Sequence, residues 1–238
     1  MRVEIWSDIT CPWCYLGEAR FEKALAAFPH RDSVQVAHRS YELNPGRAKN
    51  DIEPIQSVLM GHGMSQAQAE ANERNLTRLT AAEGLGYIHN RDHGATFDMH
   101  RLLHHAEEQG RRHELLARLY HANFAEGRSV FNDDERLVAI AVAAGLNADA
   151  ARKVLADPHA HADSVRAEEQ TAASLGISSV PFFVIDRKIG IAGAQSTEAF
   201  TRALEQAWAK REPLQMATTG GPGNQCGPDG CPVPHHLH

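Results

Sequence analysis

The chain has 238 residues, of which 42% are hydrophobic and 23% are charged, and this length allows one large domain or a domain that carries an insertion. Its formal net charge of −6 provides no basic surface for phosphate backbones, and no stretch approaches the roughly 18 apolar residues of a membrane span. These properties argue against nucleic acid and membrane as partners.

The first fifty residues predict a strand, a helix and a second strand. The sequence VEIW at residues 3–6 is strand-like, and CPWCYLGEARFEKALAAF at residues 11–28 predicts a helix with an apolar face. Residues 33–43 alternate again and end at an NPG turn. Because the strand pattern begins at once, without an apolar targeting segment before it, we expect a cytoplasmic protein.

From about residue 50 the sequence becomes rich in alanine and predicts successive helices. Ser65–Gln68 and Asn132–Glu135 have the spacing of capping boxes, and Thr96 is a further candidate helix cap. Three histidines on these helices are expected to be plain surface residues: His104, His105 and His113. The middle of the chain is therefore predicted to be a helical block.

β character returns at residues 178–194, where two short apolar runs flank Asp186–Arg187 as a predicted hairpin. Residues 196–210 then predict an amphipathic helix. The last segment, residues 216–238, is rich in glycine and has almost no apolar periodicity. The order strand–helix–strand, helical block, hairpin, helix predicts an α/β domain split by an insertion.

The four cysteines form two close pairs, Cys11/Cys14 and Cys226/Cys231. Cys11 stands where a helix begins, and the unpaired N–H groups and the positive end of the helix dipole stabilise a thiolate there. Cys14 follows one turn later, so Cys11 can attack a disulfide and Cys14 can resolve the product. Zinc binding and a structural disulfide are the alternatives, but zinc needs two further ligands and a structural disulfide is uncommon in a reducing cytosol.

Val180-Pro181 supports the redox interpretation. Pro181 cannot donate a hydrogen bond within a sheet, so it is expected at the first residue or the edge of a strand. An X-Pro bond can also be cis, although an ordinary proline at the start of a strand explains the sequence equally well without the CPWC motif.

The strand leading into CPWC, the inserted helical block and GISSVPFFVIDRKIGIAGAQ together resemble the DsbA-like thioredoxin-fold oxidoreductases. The segments SYELNP, TFDMHRLL and CGPDGC are similar to segments of the cytosolic FrnE-type branch, which is related to 2-hydroxychromene-2-carboxylate isomerases and kappa-class glutathione transferases. The resemblance covers nearly the whole chain.

The resemblance implies a thioredoxin-like α/β fold, split by an all-helical insertion domain and followed by an irregular C-terminal tail. The expected division is given by four ranges: 1–48 and 177–212 for the thioredoxin-like domain, 49–176 for the insertion, and 213–238 for a flexible tail.

The resemblance also assigns roles at the site. Cys11 is the attacking thiol, Cys14 the resolving thiol, and Pro181 lies beside them as a cis residue. The backbone of Val180 would be available to an extended substrate peptide. Trp13, Val180 and Pro181 are thus the expected substrate-binding residues. The helical block is expected to line a groove at this end of the domain, with three candidate wall residues: Tyr41, Phe97 and His100. The alternative is that all three pack inside the structure.

The second cysteine pair flanks Gly-Pro-Asp-Gly, which predicts a β-turn because proline and glycine occupy favoured positions in it. Such a turn would bring Cys226 and Cys231 within disulfide distance. In FrnE-type proteins the tail pair is implied to act as a second redox centre. Metal binding is the alternative, because His235 follows Cys231 at a ligand-like spacing.

Asp8, three residues before Cys11, is a candidate proton relay, with a plain turn residue as the alternative.

The expected function is a thiol:disulfide oxidoreductase or protein disulfide isomerase that needs no organic cofactor and no metal. Its expected partners are proteins with disulfides or thiols, with glutathione as a further candidate. Two alternatives remain: a glutathione-dependent isomerase or transferase acting on a small aromatic or polyketide-like molecule, and a soft-metal-binding protein. The related isomerases usually have serine at the position of Cys11.

Overall fold

The strand–helix–strand order at the N-terminus is present in the computed structural model, which describes residues 1–211. Strand β1 (Arg2–Ser7) leads to helix α1 (Pro12–Ala27), and strand β2 (Gln35–Ser40) follows. β1 and β2 are parallel, with Ile5 opposite His38. Every residue of β1 after the first is buried, so this strand occupies the centre of the sheet.

The segment after β2 is mainly helical, as expected. Its elements are β3 (Glu53–Pro54), α2 (Ile55–Gly61), α3 (Gln66–Ala82), β4 (Asp92–His93), α4 (Phe97–Glu107), α5 (Arg112–Phe124), α6 (Asp134–Ala143), α7 (Ala148–Ala156) and α8 (Ala162–Ser174). The antiparallel β3–β4 pair was not predicted, because strands of two residues are too short for an alternating pattern.

The predicted capping box at Ser65 is confirmed: Ser65 Oγ accepts from the Gln68 N–H at 3.3 Å, and the Gln68 side chain accepts from the Ser65 N–H at 2.8 Å. The box predicted for Asn132–Glu135 is wrong. Asp133 caps α6 by accepting from the Arg136 N–H at 2.9 Å, because Asn132 has a left-handed backbone with φ of +51°. Thr96 precedes α4 but makes no capping hydrogen bond with its side chain.

The chain ends its described part with strand β5 (Phe182–Ile185), strand β6 (Ile189–Ala192) and helix α9 (Thr197–Ala209). Asp186 and Arg187 form the predicted turn, with φ values of +48° and +54°. The sheet order is β2-β1-β5-β6, with β5 antiparallel to both β1 and β6. A mixed four-stranded sheet interrupted by a helical segment is the expected thioredoxin-like architecture.

Alternation along β1 sends side chains to both faces of the sheet. Val3 and Ile5 pack with residues of α1 and α9 in one apolar cluster, while Trp6 packs with Ala172 of α8 and Val184 of β5 in another. A third and larger cluster is formed by the helices of the insertion, and Cys11, Cys14 and Tyr15 belong to it. The helical segment therefore covers the N-terminal end of α1.

A buried ionic network joins α8, α5 and β2. Glu168 pairs with Arg112 at 2.7 Å, with Arg39 at 2.8 Å and with His104 at 3.2 Å. The surface position expected for His104 is therefore wrong, since this side chain is only 9% exposed. The sequence pattern predicted a helix around His104, but it could not predict that Glu168, from another helix, would be its partner.

Within residues 1–211, none of the helices combines the length and apolar character needed to cross a bilayer. The expected domain boundaries stay predictions, and the tail with its cysteine pair lies outside the described residues.

Candidate active site

The CPWC motif forms the start of α1. Cys11 is the residue before the helix, with extended backbone angles (φ −86°, ψ 112°), and Pro12 is its first residue. The carbonyl of Cys11 accepts from the N–H groups of Cys14 and Tyr15 at 3.0 and 3.3 Å. Proline fits the first helical turn because its missing N–H would have had no intrahelical partner there. The Cys11 sulfur thus lies at the positive end of the helix dipole.

The two thiols differ in their surroundings. Cys11 is 4% exposed and Cys14 is 1% exposed, and both are free cysteines. Burial raises the pKa of the Cys14 thiol well above its usual value, and the neighbouring Cys11 raises it further. Cys14 is therefore held in its protonated form at neutral pH.

Val180-Pro181 is a cis peptide bond, as the family resemblance implied. The Sγ atom of Cys11 lies 3.7 Å from the Val180 carbonyl oxygen, so this segment meets the thiol directly. Behind it, a Cβ atom on Gly17 would lie 3.0 Å from Pro181 Cγ. Gly17 thus allows α1 to approach the proline, a requirement that the sequence pattern did not reveal.

Trp13 is partly buried and packs against the apolar cluster of the insertion. Tyr15, two residues later, stacks on Phe124 of α5 with ring centroids 5.1 Å apart. These aromatic contacts attach the first turn of α1 to the helical segment.

Asp8 is buried, with 1% of its surface exposed. Its Oδ2 accepts from the Leu43 N–H at 2.7 Å, and its Oδ1 lies 3.4 Å from His100 Nε2. Burial by itself would raise the pKa of Asp8, but His100 and the Leu43 N–H together hold it below its usual value. Asp8 is therefore a buried, paired carboxylate rather than a plain turn residue.

Two further contacts hold the loop between β1 and α1. Thr10 Oγ1 lies 2.8 Å from His93 Nδ1, and the Asn123 side-chain amide donates to the Ile9 carbonyl at 3.0 Å. His93 and Asn123 both come from the insertion. Burial lowers the pKa of His93, which favours a neutral imidazole beside Thr10.

The profile of the DSBA-like thioredoxin domain family matches residues 2–205. The chain belongs to this family. A probable DsbA oxidoreductase from Streptomyces coelicolor is 62% identical, with a TM-score of 0.91 over 99% of this chain and 100% of that one. YwbO, an uncharacterized protein from Bacillus subtilis (strain 168), is 23% identical over 212 residues, which cover 89% of this chain and 99% of that protein.

A 2-hydroxychromene-2-carboxylate isomerase of known structure has the same fold, with a TM-score of 0.63 and 15% identity over 88% of this chain and 95% of that chain. The expected relationship to DsbA-like proteins is thus confirmed, as is the thioredoxin-like fold class. Family membership and the Streptomyces relative support thiol–disulfide oxidoreductase chemistry in general terms.

In this DSBA-like domain the structure brings together five of the eight residues singled out from the sequence, which are Asp8, Cys11, Cys14, Val180 and Pro181, and it places Trp13 beside them. Cys226 and Cys231 lie outside the described residues.

The three candidate wall residues lie in three different environments. His100 is 1% exposed, so its expected position on an open wall is wrong. Tyr41 and Val180 pack against the same small cluster, which contains Trp6. Phe97 lies beneath the guanidinium of Arg166, 4.4 Å from the ring centroid.

The residues that sequence reasoning missed come from the insertion and the segment before it: Leu43, His93 and Asn123. No local motif marks them, because each one contacts a residue of the loop before α1 that lies between 35 and 114 positions away in the sequence.

Proposed function

We propose that the protein is a thiol:disulfide oxidoreductase and disulfide isomerase that acts on proteins through Cys11 and Cys14. The observation that carries the proposal is the position of Cys11: its sulfur lies at the start of α1 and 3.7 Å from the Val180 carbonyl. An extended peptide bound along Val180 would present its sulfur to this thiol.

In the reductive direction, the Cys11 thiolate attacks one sulfur of a substrate disulfide, forming a mixed disulfide and releasing the other substrate sulfur as a thiolate. Cys14 then loses its proton and attacks the Cys11 sulfur. A Cys11–Cys14 disulfide forms, the second substrate sulfur leaves as a thiolate, and two electrons have passed to the substrate. Oxidation is the reverse, and isomerisation occurs when a substrate thiol resolves the mixed disulfide instead of Cys14.

The high pKa of Cys14 supports this division of roles. A protonated Cys14 does not compete with Cys11 for the substrate, and it becomes a nucleophile only when its proton is removed. Asp8 is the candidate acceptor of that proton, directly or through water, because its carboxylate lies close enough to Cys14 for its charge to raise the pKa of the thiol.

The tail pair, Cys226 and Cys231, is proposed as a second redox centre that exchanges with the first. The turn sequence between the two cysteines supports this proposal. The thiols are also tethered to the domain by the chain itself, which raises their effective concentration. We further propose a cytoplasmic, FrnE-type protein whose partners are proteins with disulfides or thiols, and glutathione.

The decisive assay is reduction of insulin disulfides by dithiothreitol, followed by precipitation of the insulin B chain. The full-length protein should accelerate precipitation with or without EDTA, and Cys11→Ser should fall to the uncatalysed rate. Cys226→Ser serves as the matched cysteine control and should retain the acceleration. Activity that survives Cys11→Ser would overturn the proposal, and activity lost on chelation would favour a metal-dependent function.

A further inference from the structure

A cavity of about 650 Å³ lies away from the Val180 segment, between α1, β2 and α5. Six of its lining side chains carry potential metal-binding atoms, and four of these come from α1, β2 and α5: Glu18 and Glu22 from α1, His38 from β2 and His113 from α5; Asp32 and Glu107 are the other two. Two elements of the sheet half, α1 and β2, therefore meet α5 of the insertion here. This arrangement unites residues that are up to 95 positions apart in the chain, from 18 to 113.

The side chains converge closely. One ligand atom from each of Glu18, His38 and His113 lies within 4.8 Å of the others. Glu18 Oε1 is 2.6 Å from His38 Nε2, and Glu22 Oε1 is 3.3 Å from His113 Nε2. The two imidazole rings are also stacked, with centroids 5.2 Å apart.

The distances between these ligand atoms are close to the ligand–ligand distances around a bound metal ion. Ligands bound tetrahedrally to Zn²⁺ at about 2.0 Å are about 3.3 Å from one another. The Glu18–His38 contact would open by less than about 1 Å, and the exposed His113 side chain is free to close on the ion, being 58% exposed.

The charges at this wall favour a cation. Glu18 and His38 are buried, at 8% and 6% exposure. Glu22 follows Glu18 by four residues on α1, so the two carboxylates lie on the same side of the helix and both line the cavity. Arg31 and Arg112 also line the cavity. The Arg112 guanidinium is bound by Glu107 and Glu168, each at 2.7 Å, and the Arg31 guanidinium lies 3.7 Å from Asp32.

We propose that Glu18, His38 and His113 bind a divalent transition metal of the Zn²⁺ class, with Glu22 as the fourth ligand. Two imidazoles and carboxylate oxygen are a ligand set that zinc uses in proteins. No metal was expected from the sequence. His113 is exposed, as expected, and its proposed partners in metal binding come from α1 and β2.

The metal would be structural, because Glu18 follows Cys11 by seven residues, about 10 Å along the helix axis. It would join α5 of the insertion to α1 and β2. The helical segment holds the loop before Cys11 through His93 and Asn123, so the metal would stabilise the arrangement of the two parts without contacting the thiols.

Two other clusters of potential ligands are weaker candidates. In the set His104, Glu107 and Glu168, Arg112 already pairs with both carboxylates. Its positive charge disfavours a metal ion there. The set His105, Glu108 and His161 includes a carboxylate that is 63% exposed.

The test is a Co²⁺ titration, followed by visible absorption, of the full-length chain in which the four cysteines are replaced by serine and the tail histidines His235, His236 and His238 by glutamine. This background removes the competing ligands of both cysteine pairs. It should bind one Co²⁺ with the absorption of a four-coordinate site, and Zn²⁺ should displace Co²⁺ and raise the midpoint of thermal unfolding.

Adding His113→Gln should weaken Co²⁺ binding at least about 10-fold, since losing even an outer-shell partner commonly costs 10- to 100-fold. His121→Gln is the matched control, because His121 lies on the same helix, is 64% exposed and also faces a glutamate. Glu18→Gln, which keeps the side-chain shape, should weaken binding as His113→Gln does. No binding to the background protein, or binding unchanged by either His113→Gln or Glu18→Gln, would overturn the proposal.

Discussion

The sulfur of Cys11 lies 3.7 Å from the carbonyl oxygen of Val180, although 169 positions of sequence separate the two residues. This contact joins the start of α1 to the segment that leads into β5. It places the proposed nucleophile beside the main chain of Val180. Val180 precedes β5 and lies outside its ladder, so its backbone is where the extended substrate proposed above would pair.

The two cysteines of CPWC should behave differently when substituted. Cys11→Ser is expected to abolish disulfide exchange, and Cys14→Ser to accumulate mixed disulfides between Cys11 and its substrates, because the resolving thiol is absent. Mass spectrometry of the proteins after incubation with a disulfide-bonded peptide measures both outcomes.

In the unsubstituted protein, iodoacetamide should modify Cys11 faster than Cys14 near neutral pH, since burial and Cys11 raise the pKa of Cys14. Faster modification of Cys14 would reverse the assigned roles.

The buried carboxylate of Asp8 should contribute to stability in a pH-dependent way. The pKa of Asp8 is lower in the folded protein than its usual value, so its contribution is present above the unfolded pKa of about 3.9 and is lost as the pH falls through the folded pKa. Asp8→Asn should lower the free energy of unfolding by about 1.5–3 kcal/mol near pH 7, the range for hydrogen bonds to charged groups.

Urea unfolding at several pH values measures this effect, and the difference between the two proteins should shrink below about pH 4. Asp32→Asn is the control, because the Asp32 side chain is 96% exposed, and it should change stability by less than about 0.5 kcal/mol. A difference for Asp8→Asn that is the same at pH 3 and pH 7 would contradict the ionised, paired state of Asp8.

Removing the charge of Glu168 should be more costly. Burial opposes ionisation of Glu168, but His104, Arg112 and the Ser40 N–H hold its pKa well below the usual range. Glu168→Gln would leave Arg112, which is 6% exposed, without its buried counter-charge, and breaking a buried pair in this way costs about 3–5 kcal/mol.

Denaturant unfolding near pH 7 checks this loss of stability, with Glu205→Gln on the exposed side of α9 as the control. Because the folded pKa of Glu168 is lowered, the stabilisation persists through mildly acidic pH and disappears only as the pH falls through that folded value. A loss below about 1 kcal/mol, the upper value for exposed pairs, would mean that the network contributes little.

The tail cysteines should form a disulfide that exchanges with the first pair. In glutathione buffers of defined poise, mass spectrometry should detect a Cys226–Cys231 disulfide, and Cys226→Ser should change isomerisation of a scrambled substrate while leaving insulin reduction intact. The absence of this disulfide at every poise that oxidises Cys11 and Cys14 would exclude a second redox centre. Retention of a metal by these cysteines, lost on chelation, would favour the alternative of a metal site.

Local patterns in the sequence were sufficient to predict the elements that hold the candidate active site. The apolar period after CPWC predicted α1, and Pro12 predicted where it begins. The alternation of β1 and the pattern around Asp186–Arg187 predicted the central strand and the hairpin. These predictions succeeded because they depend on backbone geometry, which neighbouring residues determine. The cis state of Pro181 came from the family resemblance, since either isomer suits a proline at the start of a strand.

Contacts between distant polar side chains were decided only by the tertiary structure. Asp8 meets His100 across 92 positions, and His38 meets Glu18 across a strand and a helix. A helical period shows where apolar residues face, but it does not show that a histidine such as His104 is buried, because burying a polar group depends on a partner supplied by another element. The CPWC motif was therefore readable from the sequence, whereas the loop contacts around it and the proposed metal ligands emerge only when the insertion packs against the sheet.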